Sequence, residues 1–103
     1  MDLKYIDTHA HLNLEQFAED REAVFQKCLD ESVAMINIGT HKETSALAVE
    51  LANTYAHAWA MVGLHPVSVK VKNPTGHIPQ VEDGFDYDFY KPLAEDPRTV
   101  GIG

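Results

Sequence analysis

Four short apolar runs divide this chain, and segments of helical periodicity separate the first three. The runs are Tyr5-Ile6 and residues 33–38, 58–64 and 99–102. They are apolar on both sides, as expected of strands buried on two faces. The first intervening segment predicts a helix opening at Asn13, with Gln16 in the capping-box position. Leu14, Phe17, Val24, Phe25, Cys28 and Leu29 give it one apolar face. A second helix is expected to open near Thr40, with Glu43 in the box position and Leu47, Ala48, Leu51, Ala52 and Tyr55 on its apolar face. Buried strands alternating with amphipathic helices specify an α/β fold with a parallel sheet. The rhythm changes after the third run, where Pro66, Pro74, Gly76, Pro79 and Gly84 interrupt any long element. Val67, Val69 and Val71 alternate with Ser68, Lys70 and Lys72, a pattern for a short exposed ribbon. Residues 86–95 then predict a short helix before Pro97.

At 103 residues the chain is sized for one domain. Eight basic residues against 16 acidic ones give a net charge of −8, which excludes a dedicated electrostatic DNA binder. No apolar run reaches the roughly 20 residues that span a bilayer, so no membrane partner is expected. The start of the chain lacks a basic segment followed by an apolar one, and the single cysteine, Cys28, cannot form an internal disulfide. A cytoplasmic location is the expectation. A chain stopping at Gly103, just after a fourth strand, is expected to be the front of a longer α/β protein.

The densest chemistry lies in Ile6-Asp7-Thr8-His9-Ala10-His11-Leu12. Strict strand alternation would turn Asp7, His9 and His11 to one side. Two imidazoles at this spacing have Cβ atoms about 6.5–7 Å apart and can share one divalent cation. Asp7 would then either orient a ligand or cap a neighbouring backbone group. Gly63-Leu64-His65-Pro66 presents His65 at the mouth of the third strand, on the same rim, towards a substrate oxyanion or a metal-bound species. His41 begins the second helix beside that rim and reads as a solvated helix residue. His57, at the other end of that helix, reads as structural. Cys28 and Trp59 read as core, and His77 has no assignable role. Residues 51–81 contain no Asp or Glu but include Lys70 and Lys72, which suits an anionic substrate as well as an edge strand protected by lysines. Phosphate-binding glycine loops, a Gly-x-Ser-x-Gly elbow and zinc-finger cysteine pairs are absent.

Four motifs taken together resemble the TatD-type metal-dependent deoxyribonucleases of the amidohydrolase-like superfamily. They are Ile6-Asp7-Thr8-His9-Ala10-His11-Leu12, Asn37-Ile38-Gly39-Thr40, Gly63-Leu64-His65-Pro66 and Val100-Gly101-Ile102-Gly103. The resemblance implies the first half of a (β/α)8 TIM barrel: four parallel strands, with residues 1–103 as an incomplete N-terminal part of a single hydrolase domain. It implies metal-binding roles for His9 and His11 and an active-site role for His65, beside which Asp7 is expected to orient a ligand. It also implies DNA or another phosphodiester as substrate and two divalent cations per intact site. Imidazole ligands favour Zn or Mn over Mg alone. The family's carboxylate ligand on strand four would follow Gly103, and two further histidines and an aspartate belong to its later strands. The 103 residues alone are therefore expected to be inactive, and to be marginally stable or to self-associate through open sheet edges. Two alternatives are a C–N or ester hydrolase of the same superfamily, and a small non-catalytic α/β interaction module.

Overall fold

The computed structural model describes residues 2–66 and 84–103. Strands β1 (Tyr5–Ala10), β2 (Val33–Ile38), β3 (Ala58–Val62) and β4 (Thr99–Ile102) alternate with helices α1 (Arg21–Asp30), α2 (Lys42–Thr54) and α3 (Tyr87–Ala94). The strands form one sheet in the order β1-β2-β3-β4, and every neighbouring pair is parallel. Parallel crossovers are right-handed, so strands added always on the same side put their helices on one face of the sheet. This is the arrangement of successive units in the first half of a TIM barrel, and it lacks the reversal of strand order found in doubly wound sheets.

Packing follows from β-strand alternation. Ala58, Ala60 and Val62 of β3 face the helices. Ala60 and Val62 meet Ala48, Val49 and Ala52 of α2 and Tyr90 of α3. Ala58 joins Leu12, Phe25, Met35 and Leu51 in a second cluster. Trp59 and Met61 turn to the opposite face, where they are only half-buried. The two edge strands expose Tyr5, Ile6, Val100 and Ile102.

At the end of the sheet opposite the strand C-termini, Arg98 serves as a clamp. Its guanidinium donates to the carbonyls of Ala52 and Ala56 (3.2 and 2.8 Å) and lies over the Trp59 ring, 4.3 Å from its centre. It thereby satisfies one carbonyl in the last turn of α2, where carbonyls lack a helical partner, and one just beyond the helix. Phe25 is fully buried and stacks on Tyr55, with ring centres 4.0 Å apart and planes 2° from parallel. Phe25→Ala should therefore cost about 3–5 kcal/mol, read as a lowered urea midpoint with an unchanged slope.

Both predicted helix starts move. Asn13 does not cap α1. A 3₁₀ turn at Glu15–Phe17 intervenes, and Arg21 ties the approach by donating to the Leu12 and Leu14 carbonyls (2.6 and 2.9 Å). The N-cap of α2 is His41, not Thr40, and Thr44 takes the role expected of Glu43. Thr44 Oγ1 accepts from the backbone N–H groups of Thr40 and His41 (2.8 and 3.1 Å). The expected helix after residue 86 is α3. Asp86 caps it by accepting from Phe89 N at 3.1 Å, and Lys42 bonds to Asp86 at 3.0 Å, which holds the Asp86 carboxyl below the ordinary range. The expected valine ribbon, together with Lys70, Lys72 and His77, lies outside the described residues.

Candidate metal centre

A cavity of about 320 Å³ opens at the C-terminal ends of the strands. His9 and His11 enter it from β1 and its exit, Ile38, Gly39 and Thr40 from the end of β2, and Met61 and His65 from β3 and its exit. The three imidazoles thus share one rim with an otherwise mainly apolar wall. The backbones are laced together beyond the strand ends. Gly39 N donates to Met61 O (2.9 Å), His65 N to Thr40 O (2.8 Å) and Gly103 N to Val62 O (2.9 Å).

Two glycines permit these close approaches. A Cβ on Gly39 would lie 2.5 Å from the Ser45 Cα, and one on Gly63 would lie 1.7 Å from the Gly103 carbonyl oxygen. Ser45, fully buried, bridges the same contact, with its Oγ 3.2 Å from both the N and the O of Gly63.

The His9 and His11 ring centres are 5.0 Å apart, with planes 77° from parallel. Two imidazoles bound to one cation through bonds of about 2.1 Å, at a tetrahedral or somewhat smaller angle, also have ring centres about 5 Å apart. His11 Nδ1 lies 3.1 Å from the carbonyl oxygen of Ile38. A carbonyl can only accept, so Nδ1 carries the proton, and a neutral ring then leaves the Nε2 lone pair available. This donor set fits a divalent cation of borderline softness. Among the described residues, no cluster of three or more His, Cys, Asp or Glu side chains is assembled for a metal.

Asp7 departs from the expected geometry. Asp7 pairs with Met35 and Ala10 with Asn37, so three steps along β1 match two along β2. One extra residue is thus inserted, and a one-residue slip reverses the facing of side chains. Asp7 accordingly shares the side of Met35, towards α1, whereas His9 and His11 line the cavity. Cys28 of α1 senses it there: burial pushes the thiol pKa up, and the Asp7 carboxylate adds to the rise. Strict alternation is therefore corrected between Asp7 and His9. The Asp7 carboxylate instead accepts from the backbone N–H of His9 at 3.0 Å, which fixes the main chain beneath the first imidazole.

The remaining histidines separate cleanly. His41 is not solvated as expected. It is nearly buried, and its Nδ1 lies 2.8 Å from Glu43 Oε2. The Glu43 carboxyl is held below its usual range by its own backbone hydrogen bond and then by His41. His57 is buried at the far end of the sheet and donates from Nε2 to the Phe25 carbonyl at 3.0 Å. Its role is structural, through a carbonyl rather than the helix dipole.

Two asparagines that the sequence reading left without a role at the site lie directly behind it. Asn37 is a polar residue inside an apolar strand, and its Oδ1 accepts from Leu12 N at 3.0 Å. The Nδ2 of Asn13 donates to the carbonyls of Ile38 and Thr44 (3.1 and 2.8 Å). Both side chains are essentially fully buried. The signal in the sequence was polarity at positions whose neighbours are core.

The model of the TatD related DNase family matches residues 6–103. The uncharacterized metal-dependent hydrolase YabD of Bacillus subtilis is 33% identical over 94% of this chain and 34% of its own length. The uncharacterized metal-dependent hydrolase YjjV of Escherichia coli is 36% identical over 61% of the chain and 25% of its own length. A similarly named protein of Methanocaldococcus jannaschii, MJ1582, is 30% identical over 67% of the chain and 27% of its own length. The chain thus spans about a third or less of the length of these curated relatives. With a match that takes in β1 through β4 and the whole histidine rim, this chain belongs to the TatD related DNase family.

Proposed function

We propose that these residues form part of the active rim of a metal-dependent hydrolase that cleaves phosphodiester bonds in DNA. The observation that supports this reading is the His9–His11 pair: two rings at chelating separation, one with Nδ1 committed to a carbonyl, on a rim shared with His65. In this reading His9 and His11 hold a divalent cation, with Zn or Mn suited to imidazole better than Mg alone. When bound, the cation supplies Lewis-acid polarisation of a phosphoryl oxygen and lowers the pKa of water. His65 contacts the phosphate, Asp7 steadies His9 through its backbone, and Leu14, Ile38 and Met61 form apolar wall that limits access of bulk water.

The test uses the full gene product with a DNA oligonucleotide and Zn, Mn or Mg supplied singly. Cleavage should require metal, stop on chelation and return when metal is restored. The 103 residues alone should show no turnover, because two imidazoles leave a cation weakly held and poorly oriented. Metal-independent cleavage would overturn the proposal, as would a clear preference for amide or ester substrates, which would favour a C–N or ester hydrolase.

A further inference from the structure

The buried asparagine behind the rim leads further than its packing. His11 Nδ1 and Asn13 Nδ2 both donate to one oxygen, the Ile38 carbonyl, each at 3.1 Å. The second Nδ2 proton of Asn13 goes to Thr44 O at 2.8 Å, so its carboxamide bridges the end of β2 and the first turn of α2. Turning the amide over would aim its oxygen at two carbonyl oxygens, so the partners fix its orientation. The carbonyl held in this way immediately precedes Gly39, a residue without a side chain to restrain the peptide.

We infer that Asn13 is a positioning residue for His11: by fixing the Ile38 carbonyl, it selects the Nδ1–H form of the ring and aims Nε2 into the cavity. The inference rests on reading His11 as a ligand only where metal affinity is concerned. The tautomer it specifies belongs to the metal-free protein. Asn13 touches no substrate and acts only through His11.

The test compares the wild type with Asn13→Ala and Asn13→Leu, the latter keeping most of the buried volume while removing both donors. Leu51→Ala, in the core beneath α2, serves as a comparator that lowers stability without touching the rim. Long-range proton–nitrogen spectra of the metal-free full gene product read the His11 tautomer, and titration with zinc chloride reads affinity. The wild type should show a single Nδ1–H form. Both Asn13 variants should show mixed tautomers and bind zinc about 10–100-fold more weakly, the usual cost of losing an outer hydrogen bond to a ligand. Leu51→Ala should keep the single tautomer at a comparable loss of melting temperature. A pure Nδ1–H ring in either folded Asn13 variant would overturn the inference, as would mixed tautomers in Leu51→Ala. A wild type with the single tautomer but no zinc affinity would count against the metal reading and leave the role of Asn13 supported.

Discussion

Changing His9 or His11 to Ala in the full gene product should lower metal-dependent DNA cleavage by about 10³-fold or more. Each substitution removes one of the two imidazoles held at chelating separation, and the described residues provide no clustered third side chain to replace it. Folding should change little. His9 is exposed and His11 only half-buried, while the packed core lies on the helix-facing side. The two variants should still differ in one respect. Losing His11 also leaves the Ile38 carbonyl with Asn13 as a partner, so the local backbone keeps one of its two ties. Bound metal, measured by elemental analysis after gel filtration, should fall in both variants along with single-turnover cleavage. Gln26→Ala, on the exposed side of α1, is the proper control. His57 would be a poor one, because its buried ring holds the Phe25 carbonyl and its loss would disturb the core. Full metal content and activity in both His9→Ala and His11→Ala would reduce the motif to an ordinary strand mouth.

The parts of this fold that were legible in the sequence depend on periodicity. Buried strands and amphipathic helices have different repeats, so β2, β3, α2 and α3 could be located from residue spacing alone. The His-x-His pair and His65 could be placed on one rim because parallel βα units bring the C-terminal strand ends together. Capping was harder to read, because it depends on which side chain reaches back. Asn13 has the right residue type for an N-cap, yet its amide finds better partners in two carbonyls from β2 and α2. The bulge in β1 was invisible for a related reason. A single inserted residue leaves the composition unchanged but sends Asp7 to the helix side and the histidines to the cavity. The Arg98 clamp and the Asn37 contact join positions that are distant in sequence, so local pattern carries no trace of them.

His65→Ala should behave unlike either ligand substitution. Its backbone N–H ties it to Thr40, and that connection survives truncation of the side chain. The ring lines the cavity with His9 and His11, yet the three do not form a ligand cluster. If it meets the substrate phosphate, metal content should persist while kcat/KM for DNA falls by about 10²–10³, the usual cost of losing one donor to a developing oxyanion. A loss confined to KM would mean that His65 binds substrate and transition state equally, whereas a matching fall in kcat places its contact in the transition state. His65→Gln, which keeps a donor near the same reach, should recover part of the rate if hydrogen bonding is what matters. Loss of metal from His65→Ala would instead make it a ligand, and unchanged cleavage with metal retained would remove it from the reaction altogether.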